Sequence, residues 1–434
     1  MDDVALARAT MGTSLAFHIV FAALGVGLPL LLVITEGLGL WRRDAVWTDL
    51  ARRWSRAFGL LFAIGAVSGT VLSFELGLLW PRFMELSGSM IGLPFTAEGF
   101  AFFLEAVFLG LYLYGWNRLS PLQHWLCSLP IAISGAASAL FVVMVNSWMN
   151  SPAGFRLENG AITQVDPLAA ALNPSVGTED PHMLFSAYTV TGFLVAAVYA
   201  AGMLRGRRDT AHKRGLALGM AMGVVAIALT GFFGDASARF VYQAQPVKFA
   251  AMEGVFETQR GAPITIGGVV LPSQQRVVGG LEIPYALSLL AAFDPNAEVQ
   301  GLNAVPAQDQ PSPEAVHLAF DTMVGLSGLA GLAALVFWAL AWRRRAVPTG
   351  RWLLRALVAA GPATVIAMEA GWFVTELGRQ PWTVYGVLRT ADAATSAPGV
   401  GPTFAVFIVI YVALAAVTAR LLLELARRTR ASAT

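Results

Sequence analysis

MGTSLAFHIVFAALGVGLPLLLVITEGLGLWRR, residues 11–43, decides the architecture. From Met11 to about Leu38 the run is apolar enough to cross a hydrocarbon core, which needs about 20 residues, and Arg42 and Arg43 follow it. Only Asp2, Asp3 and Arg8 carry charge before it. That is not the basic start of a secretory signal, so the segment reads as a mature spanning helix. Eight further runs are similar: about 56–80, 95–117, 124–147, 181–204, 215–237, 315–342, 353–377 and 403–426. They are continuously apolar, not alternating, which selects a helix bundle over a barrel. The composition agrees, with 56% hydrophobic and 13% charged residues among 434, against about 25% charged in soluble domains. The expectation is an all-α integral membrane protein of about nine helices, in a lipid bilayer. Net charge is +2, the basic residues form no continuous face for nucleic acid, and Cys127 is the only cysteine. Disulfides, thiolate zinc sites and iron–sulfur clusters within the chain are thereby excluded.

Lysine and arginine set the orientation. Arg42, Arg43, Arg52, Arg53 and Arg56 lie between the first two helices, Arg205, Arg207, Arg208, Lys213 and Arg214 between the fifth and sixth, Arg343, Arg344, Arg345, Arg351 and Arg355 between the seventh and eighth, and Arg427, Arg428 and Arg430 in the tail. Residues 148–180 hold only Arg156. The N-terminus is therefore expected outside and the C-terminus in the cytoplasm. The chain divides into helices one to six (1–237), a long outer loop (238–314) rich in Gly, Pro and Gln, and helices seven to nine (315–434). A structureless loop of that length is usually functional or disordered.

Ionisable groups inside spans mark function by default. His18 stands about seven residues into the first helix, roughly 10 Å below its outer end at 1.5 Å per residue. His182 opens the fifth helix, Met323 lies near the start of the seventh, and Glu376 ends the eighth with Arg379 three residues on. Each has a plain alternative: a satisfied core histidine, an interfacial histidine, methionine as filler, an interfacial ion pair. Glu98 and Glu105, seven apart, line one helix face at two depths, which suits a proton path or ion site better than packing. His124, His212 and His317 read as ordinary interfacial residues. Under the alternating topology His18, Glu98, His182, Met323 and Glu376, from five helices, all fall near the outer leaflet. A shared depth suits adjacent metal centres, and His with Met is an axial pair for electron-transfer haem.

Over nearly its whole length the sequence resembles subunit I of the cytochrome bd-type quinol oxidases, of the type with a short quinol loop. The resemblance is carried by GRQPW at 378–382 after GWFVTE at 371–376, with AEGFAFFLEA at 97–106, NSWMNSPAGF at 146–155 and FDTMVG at 320–325. It implies that His182 and Met323 ligate a low-spin haem b, and that His18 and Glu376 sit at two high-spin haems with Glu98 near His18. Those two are a haem b and either haem d or a third haem b. It assigns Glu105 and Ser138 to proton delivery from the cytoplasm, and Arg379 and Trp372 to the haem propionates and pocket. Lys248 and Glu253, in PVKFAAMEGVFE of the long loop, match a lysine and glutamate tied to quinol oxidation; the other reading is a solvated surface helix. Asp235, in GFFGDASAR, matches an element without an assigned role. One departure is Asp321, which stands where some members carry an arginine.

The function expected is thus a quinol:O2 oxidoreductase subunit of a bacterial cytoplasmic membrane. It would oxidise membrane quinol outside and reduce O2 to water with cytoplasmic protons, generating a proton motive force. Its partners would be a second membrane subunit and sometimes a very small single-helix one. Two rivals remain: a proton- or cation-coupled carrier using Glu98, Glu105 and Glu376, disfavoured by the lack of a visible internal repeat, and a haem quinol dehydrogenase without a gas-binding haem.

Overall fold

Thirteen helices, in chain order, are α1 Asp3–Arg42, α2 Ala45–Leu79, α3 Pro81–Gly115, α4 Pro121–Asn150, α5 Pro167–Ala171, α6 Val176–Leu204, α7 Thr210–Ala244, α8 Pro246–Glu253, α9 Ala286–Ala292, α10 Pro313–Arg344, α11 Arg351–Gly378, α12 Thr390–Ala393 and α13 Val400–Ala431. This is a computed structural model, and it describes residues 3–158, 161–395, 397 and 399–431; Asp2 and the side chains of Arg428 and Arg430 lie outside them. Among the described residues nine helices are long and apolar enough to cross a membrane: all except α5, α8, α9 and α12.

Local chemistry sets the helix ends. The Asp44 carboxylate accepts the Val46 amide at 3.0 Å and starts α2. Ser120 and Gln123 form a capping box at the head of α4, and Asp209 accepts the His212 amide at 3.0 Å to start α7; each satisfies an amide the first turn would leave bare. Helices α2 and α3 begin well before the apolar runs that mark them, and Trp80 alone separates them. A capped helix can continue beyond its apolar stretch, so Arg52, Arg53 and Arg56 ride on the first turns of α2 instead of lying in a connection.

The bundle is inside-out relative to a soluble protein. On α3, Phe103 is 66% exposed whereas Glu105 is 4% exposed, the arrangement expected where lipid is the solvent and polar groups turn inward. Helix α6 is the most enclosed span and α13 the least. Helix α1 packs against α2, α4, α6 and α13, while α6 packs most closely on α7. There Gly192 faces Gly223 so tightly that a Cβ on Gly192 would lie 2.6 Å from the Gly223 nitrogen. Gly192→Val is therefore expected to destabilise the protein by about 1–3 kcal/mol, as overpacking does, seen as a lower melting temperature of the purified protein.

The basic connections meet at one end of the bundle, where Arg214 pairs with Asp44 at 2.7 Å and Arg52 reaches Asn117 at 3.5 Å. The long connection sits at the other end and is not structureless. Helix α7 runs on to Ala244, α8 follows, and short antiparallel pairs form between Ile264–Ile266 and Leu281–Ile283 and between Val269–Leu271 and Arg276–Val278. Phe249, Met252, Val255, Phe256, Val270 and Leu302 give this cap an apolar core of its own, joined to Val316 of α10 and Val374 of α11.

Candidate functional site

Two histidines inside the bundle are held in the same way. His18 Nδ1 lies 2.9 Å from Ser68 Oγ, and that hydroxyl already donates to the carbonyls of Ile64 and Gly65. With the single hydroxyl proton turned to one of these carbonyls, the ring is the donor, protonated at Nδ1. His182 Nδ1 lies 2.9 Å from the Thr230 carbonyl, which can only accept. In both rings Nε2 keeps its lone pair, and no hydrogen bond occupies it among the described residues. A ligating histidine is oriented through its other nitrogen in this manner. Each ring also faces a glycine: a Cβ on Gly69 would lie 3.0 Å from His18 Cε1, and one on Gly234 would lie 2.9 Å from His182 Cε1. Met323 is similar, since a Cβ on Gly371 would lie 3.0 Å from its sulfur. Trp372 packs against the cluster of Ile19, Ala187, Val190 and Met368, where α1, α6 and α11 meet.

Glu376 is gripped on both oxygens. Asn146 Nδ2 donates to Oε1 at 2.5 Å, and Arg379 Nη2 donates to Oε2 at 2.6 Å. The ion pair expected as a surface alternative is thus present, but Arg379 is only 1% exposed. Its Nε and Nη1 are buried without a protein acceptor. Buried donors are normally satisfied, so an anionic group fits there. Among the described residues no three His, Cys, Asp or Glu side chains converge as a bare metal site. Pinned histidines with free Nε2 atoms, glycines opposite the candidate ligands and orphaned guanidinium donors together suit a flat, acid-bearing macrocycle.

A second polar seam follows α3 and α4. Ser138 donates to Glu98 Oε1 at 3.2 Å. Glu105 lies against Gly135, where a Cβ would come within 3.1 Å of its Oε1, and that oxygen is buried without a partner. Glu98 is thus tied to Ser138 of α4, whereas His18 is tied to Ser68 of α2. Farther along, at the arginine-rich end, the seam carries a group that sequence reading missed. Tyr112 donates to Glu36 Oε2 at 2.5 Å, and His124 Nδ1 lies 2.6 Å from Glu36 Oε1. His124 is 3% exposed and His317 1%, so neither is the interfacial residue expected; His317 Nδ1 bonds the Met252 carbonyl at 2.7 Å. Tyr112 follows Glu105 by seven residues, repeating the Glu98–Glu105 spacing, and that signal was in the sequence.

Helix α8 is not a solvated surface helix, for Lys248 and Glu253 are 4% and 6% exposed. Five residues apart, they point about 140° away from each other around the helix. Lys248 Nζ donates to Asn150 Oδ1 at 3.2 Å and to the Thr375 carbonyl at 3.4 Å. Burial holds its ammonium well below the usual lysine range, at about 8. Burial lifts the Glu253 carboxyl to about 8, with the Asp321 charge adding to the effect. Beside Lys248 lies a cavity of about 250 Å³, lined among others by Asp309, Gly378, Gln380, Trp382 and Tyr385. A closed cavity of about 150 Å³ already takes benzene, so one substituted ring fits. Glu253 does not line this cavity. Asp235 pairs with Arg239 at 2.7 Å.

The family model for cytochrome bd terminal oxidase subunit I matches residues 6–430. The chain is 39% identical to a putative cytochrome bd menaquinol oxidase subunit I of Bacillus subtilis strain 168, over 99% of this chain and 97% of that protein. It is 29% identical to cytochrome bd-II ubiquinol oxidase subunit 1 of Escherichia coli K12, over 90% of each. The solved bd oxidase of Geobacillus thermodenitrificans superposes with a TM-score of 0.93 at 39% identity, covering 98% of this chain and 99% of that one. The helical bundle thus has a known counterpart: the chain belongs to the cytochrome bd terminal oxidase subunit I family.

Proposed function

We propose that this chain is the haem-bearing, quinol-oxidising and O2-reducing subunit of a respiratory oxidase in a bacterial cytoplasmic membrane, its N-terminus outside and a second membrane subunit beside it. The observation that carries the reading is the pair of histidines, each pinned at Nδ1, free at Nε2 and facing a glycine. His182 and Met323 are assigned to a low-spin haem b. His18 and Glu376, with Glu98 near His18, are assigned to a high-spin haem b and a third haem, d or b. Such haems supply one-electron transfer and O2 binding.

The chain's own groups supply the rest. Arg379 offers two unpaired donors to a propionate, with Trp372 packed nearby. Lys248 can donate to a quinol oxygen in the adjoining cavity. Glu253, on the far side of the same helix, takes the released proton at a second step, with Asp321 next to it. Ser138, Glu98 and Glu105 carry protons the opposite way, from the arginine-rich end. Opposed proton routes separate charge across the membrane without a pump.

An absorption spectrum of the purified protein tests the assignment. Reduced-minus-oxidised haem bands that shift with carbon monoxide are expected. A colourless protein would favour the carrier reading, and haem without a carbon monoxide response would favour a dehydrogenase.

The loop pair has its own test. Glu253 accepts a proton only once ionised, so kcat/KM for quinol should rise with pH towards about 8. Lys248 offers a charge-assisted hydrogen bond only while protonated, so the same quantity should fall above about 8. Glu253→Gln should flatten the rising limb. Lys248→Met should raise KM about tenfold or more, the cost of a charge-assisted hydrogen bond. A rising limb retained in Glu253→Gln would remove that residue from the reaction.

A further inference from the structure

Two side-chain amides in series join the loop lysine to the Glu376 carboxylate. Asn150, the last residue of α4, is 1% exposed. Its Oδ1 accepts from Lys248 Nζ at 3.2 Å. Its Nδ2 lies 3.2 Å from the Asn146 carbonyl, 3.3 Å from Asn146 Oδ1 and 3.3 Å from Glu179 Oε2. Asn146 Nδ2 in turn donates to Glu376 Oε1 at 2.5 Å. The direction of every bond is fixed by chemistry. An ammonium can only donate, so it must meet the amide oxygen; an ionised carboxylate can only accept, so it must meet the amide nitrogen. Neither asparagine can flip without setting donor against donor or acceptor against acceptor. The chain Lys248–Asn150–Asn146–Glu376 is therefore a line of aligned dipoles with a cation at one end and an anion at the other. Buried hydrogen bonds in such a line polarise one another. Gln245, 1% exposed, also donates from its side chain to the Asn150 carbonyl, so the junction is held from the α7–α8 corner.

We propose that Asn150 is a positioning residue that couples Lys248, beside the candidate quinol cavity, to the carboxylate of Glu376. What happens at the lysine then alters how strongly Glu376 donates to the group it holds. The inference rests on the function proposed above but adds a link between two of its sites. Asn150 touches neither substrate nor haem in this scheme; it works through the residues on either side.

A double-mutant cycle on the intact oxidase complex reads the link. The four proteins are wild type, Lys248→Met, Asn150→Leu and the double variant. The readout is the midpoint potential of the haem whose bands vanish in Glu376→Ala. Removing the lysine charge should lower that potential, because a nearby cation favours the reduced form. The same lysine change made in the Asn150→Leu background should produce less than half of that shift. Asn150→Ala, which is smaller and suits a helix end, serves as the second variant should the leucine protein not assemble. Equal shifts in both backgrounds would overturn the proposal, leaving Asn150 as packing only. If Glu376→Ala leaves every haem band intact, the fault lies instead in the assignment of Glu376 as a ligand.

Discussion

His182→Ala and Met323→Ala are each expected to abolish the low-spin haem band and electron transfer from quinol, while the chain still inserts and folds. Among the described residues His182 bonds to the protein through Nδ1 alone, and Thr230 Oγ1 keeps its partners in Ala226 and Thr189. Little of the scaffold therefore depends on the imidazole, and its removal opens a pocket without breaking a network. Met323 is half-buried on α10 with its sulfur towards Gly371, so truncation there costs a thioether and some packing. With only one of the two donors left, a haem bound there would have a free position for a small ligand. Either variant should thus show a shifted or missing band and a new response to carbon monoxide at that haem. An unchanged reduced-minus-oxidised spectrum in both variants defeats the ligand assignment.

Glu105→Gln should lower turnover by about 10²–10⁴-fold, the range for loss of a positioned proton carrier. Reduction of the low-spin haem by quinol should be left intact. The residue is buried on α3, its Oε1 has no protein partner, and the glycine opposite leaves it space to swing. Gln has the same shape but cannot release and regain a proton, so packing is preserved while transfer stops. Gly135→Ala should give a smaller loss, since a Cβ there would press on the carboxylate at 3.1 Å. Equal turnover in Glu105→Gln and wild type, measured as O2 consumption, would exclude the seam as the proton route.

Nine spans were legible in the sequence because lipid demands long continuous apolar runs, a strong and local signal. Their ends were less so. Helix α3 starts at Pro81, well before its long apolar run; a proline at the first helical position is pre-set for a helix start. The cap over the bundle was read as a loop because its paired strands are only three residues long, too short for alternation to register. His124 was read as interfacial because its partner Glu36 lies 88 positions away, and no local pattern reports such a pairing. The ligand positions came from spaced chemical residues and from resemblance. The amide junction at Asn146 and Asn150 did not, for asparagine has no signature of its own until its neighbours are placed.

The glycine contact between α6 and α7 has a bearing on speed as well as stability. His182 belongs to one of these helices and its anchor, the Thr230 carbonyl, to the other. The close approach of the two backbones at Gly192 and Gly223 packs together the two helices that carry ring and anchor. A haem held by His182 would then sit between closely packed helices, and a site whose polar groups are already in place needs little rearrangement when its charge changes.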